Sequence, residues 1–160
     1  MRLAAVDIGS NTVHALVADV IRGRLVDVAH YVEMPELGSQ VARTGAIGTR
    51  AKPAIRALRS VVARARDHGY DLLIAGATEA VRKASDREAF VREAGEAIGA
   101  EVHIISPKRE AELSFLGVAS NHAARREWQR APDGEESNEN GSNRGPHAAL
   151  LEGTRPPLSQ

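Results

Sequence analysis

The stretch AVDIGSNTVHALVADV, residues 5–20, decides the fold, because it joins two apolar segments through a short polar turn. An apolar run bounded by glycine is typical of a buried strand, and the first run, LAAVDI (3–8), ends at Gly9. The second run, VHALVADV (13–20), is rich in valine, which favours strands. The turn between them predicts two neighbouring strands.

A third strand, LVDVAHYV (25–32), follows the sequence Arg22-Gly23-Arg24, which has the glycine of a hairpin turn. The first three strands are therefore expected to form an antiparallel meander. Residues 33–48 contain Pro35 and three glycines, and this composition predicts a loop.

Helices and strands alternate in the rest of the predicted domain. Apolar residues at three- and four-residue steps predict a helix over 51–68, and DLLIAGA (71–77) and EVHII (101–105) have the pattern of strands. Ser85 and Glu88 have the spacing of a capping box, which predicts the start of a helix that ends near Gly99. A last helix is expected from Ser106-Pro107, with Leu113, Leu116 and Val118 facing inward.

This order predicts an α/β domain with a mixed sheet flanked by helices. The composition changes near residue 120: four of the seven prolines and four of the five asparagines follow it. We therefore expect an ordered domain over 1–120 and a disordered tail over 121–160.

The composition excludes several classes of function. The chain has 21 basic and 21 acidic residues, so it lacks the positive charge expected of a nucleic-acid or membrane-surface protein. It has no cysteine, and its six histidines show no metal-ligand spacing. No long apolar run or signal peptide is evident, so we expect a cytoplasmic protein.

The turn after Asp7 has the residues of an anion site. Gly9 permits a tight bend, and Ser10, Asn11 and Thr12 line it. Backbone amides in such a turn can converge on an anion, and the hydroxyls and the carboxamide add donors. Asp7 would repel a bare phosphate unless a divalent cation or water lies between them. The alternative is an ordinary hairpin turn, since the same residue types dominate turns. The pattern GxxxxGK[ST] of a P-loop is absent.

Two later segments carry further candidates. GATEAVRKA (76–84) places Arg82 just after a strand, where it is suited to bind phosphate oxygens or, alternatively, to pair with Glu79. ISPKREAELSFLGV (105–118) places Glu110 in the first turn of a helix, as a general base or simply as a favourable acid at the helix start. Lys108 and Arg109 lie where the helix dipole disfavours cations, which favours an anion nearby.

Taken together and in this order, the three segments resemble the exopolyphosphatase / guanosine pentaphosphate phosphohydrolase (Ppx/GppA) family. AVDIGSNTVHALV is similar to its first phosphate-binding loop, GATEAVRKA to its ATSALRDA-type segment, and IISPKREAELSFLGV to its ISGEEEARLxFLGV-type segment. The resemblance covers residues 2 to about 119.

The resemblance implies one ribonuclease-H-like lobe of the actin, Hsp70 and sugar-kinase fold group. It implies magnesium-dependent hydrolysis of terminal phosphates from polyphosphate or guanosine pentaphosphate, with polyphosphate or guanosine penta- or tetraphosphate as the partner. By position, Glu110 matches the catalytic glutamate that activates water, and Arg82 matches a substrate-side arginine. The first phosphate loop is matched by Asp7, Gly9, Ser10, Asn11 and Thr12. Asp7 is also a weak candidate for a metal ligand.

The chain also departs from the family pattern. Arg109 and Glu112 stand where the family usually has Glu and Arg, and Glu79 replaces a small polar residue. The family's second phosphate loop, of the type DIGGGS, has no match in these 160 residues, so weak or no activity is expected of this chain alone. The alternatives are a non-catalytic phosphate-binding or interaction module, a truncated reading frame, and a sugar or acetate kinase. The expected protein partner is a second copy of the chain or a complementing lobe.

Overall fold

Three antiparallel strands open the fold, as the sequence predicts. In the computed structural model, which describes the backbone of residues 1–128 and the side chains of residues 1–118, they are β1 (Arg2–Ile8), β2 (Val13–Ile21) and β3 (Arg24–Glu33). Arg22 and Gly23 both have positive φ, 52° and 77°, which fits the tight turn between β2 and β3.

Two parallel strands extend this meander into a five-stranded sheet. They are β4 (Leu72–Ala77) and β5 (Val102–Ile104), and the strand order is β3-β2-β1-β4-β5. β1 is antiparallel to β2 and parallel to β4, and β4 is parallel to β5. The predicted mixed sheet is therefore confirmed.

Helices connect the strands. They are α1 (Leu37–Thr44), a 3-10 turn (Gly48–Arg50), α2 (Ala51–Arg66), α3 (Glu79–Lys83), α4 (Arg87–Ile98) and α5 (Pro107–Trp128). α2 packs against β2 and β3, and α4 packs against α2 and β5.

The two faces of the sheet differ in burial. On the face that we call the closed face, alternate residues of β1 and β2 are at most 4% exposed: Ala4, Val6, Ile8, Val13, Ala15 and Val17. They pack in one core with the apolar side of α2, which includes the predicted Ile55, Leu58 and Val62. The residues between them, which include Ala5, Asp7, His14 and Leu16, form the open face and are exposed or half-buried. Alternating burial of this kind is the two-residue period of a strand.

The loop predicted for residues 33–48 is wrong over much of its length, because it contains α1. Leu37 and Val41, four residues apart, bury one side of this helix, and Gly45 ends it with φ of 72°. The glycines that predicted a loop stand inside and after the helix.

The capping box predicted at Ser85 is also wrong. α4 begins at Arg87, its N-cap is Asp86, and no side chain makes a capping bond there. The backbone N–H of Ser85 instead donates to the carbonyl of Gly45 at 2.9 Å, so this residue ties α1 to the region before α4.

The inward orientation predicted for three residues of α5 is wrong. Leu113, Leu116 and Val118 are 43%, 52% and 57% exposed, and Phe115 beside them is 73% exposed. Met1–Ala124 form one compact unit; of the second unit, Arg125–Gln160, the structure describes only the end of α5, to Trp128. Most of the predicted tail, 121–160, lies outside the described residues, so the boundary at 120 stays a prediction.

Candidate functional site

The segments singled out in the sequence follow the ends of three parallel strands. β1, β4 and β5 are neighbours that point the same way, so their carboxyl ends meet at one edge of the sheet. The N–H of Thr78 donates to the carbonyl of Ile8 at 3.1 Å, and the N–H of Ile105 donates to that of Ala77 at 2.8 Å. The fold therefore brings the three segments together.

The first segment is the turn between β1 and β2. The N–H of Gly9 donates to the carbonyl of Thr12 at 2.9 Å and closes the turn. A Cβ atom at Gly9 would lie 3.2 Å from that carbonyl oxygen, 3.8 Å from Oγ1 of Thr12 and 3.9 Å from Oδ2 of Asp7. The turn is thus a hairpin turn whose polar atoms crowd one small space.

Helix α1 supports this turn from behind. The N–H of Gly38 donates to the carbonyl of Ser10 at 2.6 Å, and the N–H of Glu36 donates to the carbonyl of Asn11 at 3.1 Å. A Cβ atom at Gly38 would lie 2.9 Å from Cβ of Ser10, so only glycine allows this approach. We did not anticipate this support, although the spacing of Leu37 and Val41 is a helical one.

The carbonyl contacts also orient the amides of the turn. In a planar trans peptide the C=O and the following N–H point in opposite directions. Because the carbonyls of Ser10 and Asn11 face α1, the N–H groups of Asn11 and Thr12 point away from it. Two neighbouring backbone donors on the side away from α1 are the kind of group that an anion site uses.

Asp7 lies on the open face at the end of β1, opposite His14 of β2. Loss of water around its carboxyl group raises the pKa of Asp7; His14 acts in the opposite sense, and the negative charge of Glu110 raises it further. The charge of Glu110, in the third segment, therefore acts on Asp7, next to the first segment.

Arg82 and Glu110 join the second and third segments. Nη1 of Arg82 lies 3.2 Å from Oε2 of Glu110 and also donates to the carbonyl of Ile105. Their side chains are 23% and 39% exposed. The alternative partner considered for Arg82, Glu79, pairs instead with Lys83. An arginine and a carboxylate at one strand edge can bind an anion and accept a proton, respectively.

The exchanged charges at positions 109 and 112 are accommodated locally. Arg109 and Glu112 pair with each other at 3.1 Å on the surface of α5, so the exchanged charges still form an ion pair. Oγ of Ser106 accepts the N–H of Arg109 at 3.2 Å and thereby caps the helix.

Asp86 is a residue whose importance the sequence did not indicate. Its carboxylate accepts the N–H groups of Ile47 and Gly48 at 2.8 Å and 2.9 Å and so anchors the segment between α1 and α2. Burial acts to raise the pKa of Asp86, but the hydrogen bonds from Gly48 and Ile47 outweigh it and lower that pKa. A carboxylate that attracts two distant amides leaves no pattern in the local sequence.

The described part of the chain has neither a cluster of metal-ligating side chains nor a membrane-spanning helix. No three histidine, aspartate or glutamate side chains there come together as metal ligands. Within the same residues, every helix is too short or too polar to span a bilayer.

The chain is similar to proteins of one family. It matches the Ppx/GppA phosphatase family over residues 16–127, more than half of its length. Exopolyphosphatase 2 of Mycobacterium tuberculosis is 32% identical over 127 residues, which cover 73% of this chain and 40% of that protein.

Solved structures agree with this result. The Ppx/GppA family member of Aquifex aeolicus is 30% identical, with a TM-score of 0.69, over 75% of this chain and 40% of its own. An exopolyphosphatase from Cytophaga hutchinsonii is 28% identical, with a TM-score of 0.69, over 74% of this chain and 38% of its own. The five-stranded sheet and its helices are therefore one lobe of the actin-like fold, as the resemblance implies.

The chain spans about two fifths of the length of these relatives. Family match, sequence identity and fold point to the same group. This chain belongs to the Ppx/GppA phosphatase family.

Proposed function

We propose that the edge formed by β1, β4 and β5 binds the terminal phosphate of polyphosphate and directs water to it. The observation that supports this most is the convergence of residues 9–12, Arg82 and Glu110 at one edge of the sheet. The family match supports a phosphatase-type hydrolase domain, and the name of the mycobacterial relative supports polyphosphate as the substrate. Guanosine pentaphosphate is a second proposed substrate of the same chemistry, and guanosine tetraphosphate a second proposed ligand.

In this proposal the turn after Asp7 holds the phosphate. The N–H groups of Asn11 and Thr12, turned away from α1, donate to its oxygens. The side chains of Ser10, Asn11 and Thr12 add hydroxyl and amide donors. Gly9 keeps the space next to Asp7 and Thr12 free of a side chain.

Arg82 supplies positive charge to the same phosphate. The contacts of Arg82 with Ile105 and Glu110 both use Nη1. A guanidinium has five N–H donors in a planar fork, so Arg82 can hold Glu110 and a phosphate oxygen at once. As the bridging P–O bond breaks, the guanidinium stabilises the charge on the phosphoryl oxygens.

Glu110 is the general base of the proposed reaction. Its carboxylate accepts a proton from the attacking water, the water oxygen bonds to phosphorus, and the shortened polyphosphate leaves with the bridging oxygen. Its position in the first turn of α5, next to Arg82, fixes the carboxylate relative to the phosphate.

The residues present fit a magnesium ion shared with the substrate. Mg²⁺ in phosphate enzymes is bound by one or two carboxylates together with phosphate oxygens and water, so no cluster of three protein ligands is required. Asp7, whose pKa is raised by loss of water and by the charge of Glu110, would be stabilised as a carboxylate by such a cation. We propose that Asp7 holds Mg²⁺ through water, where the ion would neutralise negative charge on the phosphate oxygens.

A second candidate is a phosphate-binding module without catalysis. It is favoured by the ion pair between Glu110 and Arg82, because this contact occupies one of the two carboxylate oxygens that would otherwise receive the proton of the water. A cytoplasmic location, pairing with a second copy or a complementing lobe, and the absence of nucleic-acid and membrane partners stay predictions.

Phosphate release by the full 160-residue chain, with magnesium and either polyphosphate or guanosine pentaphosphate, tests the proposal. Glu110→Gln is expected to slow release by about 10²–10⁴-fold while substrate still binds, because only the base is removed. Glu112→Gln, on the same helix and paired with Arg109, is the matched control and should retain the rate. If the unaltered chain binds substrate but releases no phosphate, the hydrolase is ruled out and the phosphate-binding module remains. If it does not bind substrate, both candidates are overturned.

A further inference from the structure

Two histidines outside the predicted site form a hydrogen-bonded chain that ends at the phosphate turn. His14 on β2 and His30 on β3 are diagonal neighbours of the antiparallel pair, with ring centroids 5.3 Å apart. Nδ1 of His14 lies 3.1 Å from Nε2 of His30, and Nε2 of His14 lies 2.8 Å from Oγ1 of Thr12. Both nitrogens of His14 are thus engaged.

The hydrogen-bonded series of Thr12, His14 and His30 can hold its protons in two arrangements when both rings are neutral. A neutral imidazole has one N–H donor and one acceptor nitrogen. In the first arrangement Nδ1–H of His14 donates to His30, and the hydroxyl of Thr12 donates to Nε2 of His14. In the second, Nε2–H of His30 donates to Nδ1 of His14, and Nε2–H of His14 donates to Oγ1 of Thr12.

The two arrangements leave Thr12 with opposite capacities toward a ligand. In the first arrangement the hydroxyl of Thr12 donates its hydrogen bond to His14, so only the lone pairs of its oxygen are left for a ligand. In the second its oxygen accepts from His14, and its own proton is free to be donated. The oxygens of a fully ionised phosphate only accept hydrogen bonds, so they are compatible with the second arrangement alone.

We propose that His14 and His30 are positioning residues that act through Thr12 and make its hydroxyl a donor to bound phosphate. Binding of phosphate selects the arrangement in which both histidines carry their proton on Nε2. The inference rests on the proposed function, because it takes residues 9–12 as a phosphate site. Asp7 lies directly opposite His14 on β1, and the charge of Glu110 acts on Asp7.

The ¹⁵N spectrum of the imidazole nitrogens tests this directly. The full chain, labelled on histidine, is titrated with tripolyphosphate at about pH 8.5, some two units above the usual histidine pKa of about 6.5. We expect Nε2 of His14 and of His30 to move to the shift of a protonated nitrogen as ligand is added. His68, bonded to Tyr31 and Arg2 at the start of β1, is the internal reference and should not move.

Variants separate positioning from folding. His14→Gln keeps an N–H donor near Thr12 and should bind tripolyphosphate within about twofold of the unaltered chain, whereas His14→Leu should bind roughly three- to tenfold more weakly. Thr12→Val should abolish the response of the His14 nitrogens to ligand, and Thr12→Ser should preserve it.

The inference and the proposed function fail in different ways. If tripolyphosphate binds but both histidines keep one arrangement throughout, or if His14→Leu binds as tightly as His14→Gln, the inference is overturned and the phosphate site stands. If tripolyphosphate does not bind the unaltered chain, the proposed function fails and the inference fails with it.

Discussion

The closed and open faces of the sheet are built from the same strands for different purposes. On β1, Ala4, Val6 and Ile8 are at most 4% exposed, while Ala5 and Asp7 between them are exposed. On β2, Val13 and Ala15 are buried, and His14 between them reaches Thr12 and His30. One set of alternate residues packs the core, and the other is available for chemistry.

The difference in burial indicates which residues can serve in binding without destabilising the fold. The closed face is covered by helices, so its side chains contribute most of the burial that stabilises the domain. The open face keeps apolar side chains in contact with solvent, such as Ile74 at 49% and Val32 at 42% exposure. Substitutions on the two faces should therefore differ in kind: stability on one, binding on the other.

The largest expected effect is on the closed face. Leu58→Ala removes a fully buried side chain of α2 and should lower the free energy of unfolding by about 2–5 kcal/mol, through lost burial and a cavity. Ile74→Ala on the open face should cost about 1 kcal/mol or less, because half of that side chain already contacts water. Urea denaturation measures both, and equal losses would mean that the faces are equally covered.

The contact between α1 and the phosphate turn comes next. Gly38→Ala places a methyl group 2.9 Å from Cβ of Ser10 and should cost roughly 1–3 kcal/mol in unfolding free energy as the turn is displaced. It should also weaken tripolyphosphate binding. Gly117→Ala in α5, where a Cβ atom meets nothing within 4 Å, is the control and should be neutral or slightly stabilising. Similar behaviour of the two variants would contradict the support assigned to α1.

Asp86 is expected to have a smaller, pH-dependent effect. Asp86→Asn weakens the bonds to the amides of Ile47 and Gly48 and should cost about 1–2 kcal/mol in unfolding free energy at neutral pH. The pKa of Asp86 is lowered in the folded protein, so its contribution is present above the unfolded pKa of about 3.9 and is lost as pH falls through the folded pKa.

Thermal unfolding of the Asp86→Asn variant at several pH values measures that effect. The difference from the unaltered chain should shrink below about pH 4. Asp27→Asn, an exposed position on β3, serves as the control. A difference that grows toward acid pH would have the wrong sign for this explanation.

The smallest stability effect is expected at the site itself. Arg82→Gln breaks the ion pair with Glu110, but both side chains are partly exposed, so the unfolding free energy should change by about 1 kcal/mol or less. Tripolyphosphate affinity, measured by calorimetry, should fall much more than stability does. A variant that lost stability and affinity in proportion would indicate a purely structural arginine.

The sequence predicted the parts of the fold that depend on local periodicity. Alternation in β1 and β2 and the three- to four-residue spacing in α2 predicted strands and a helix that the structure confirms. Glycine and proline content misled the prediction for 33–48, because Gly38 is there to approach Ser10 rather than to form a loop. Local composition cannot distinguish these two reasons for a glycine.

Only some residues of the candidate site could be predicted from the sequence. Asp7 could be singled out near the end of a predicted strand, and the turn, Arg82 and Glu110 because each follows one. The parallel strands bring them to one edge. His14, His30 and Asp86 act through contacts over 2 to 39 residues along the chain, which depend on strand pairing and helix packing. Such contacts require the three-dimensional structure.

The most direct test of the central claim, that three segments form one phosphate site, is a titration followed by amide ¹H–¹⁵N spectra. The full chain is titrated with magnesium tripolyphosphate. Shifts that saturate together at Gly9–Thr12, at Thr78–Arg82 and at the start of α5 are the predicted result. Shifts confined to other surfaces, such as the exposed side of α2, or no saturable shift at all, would contradict it.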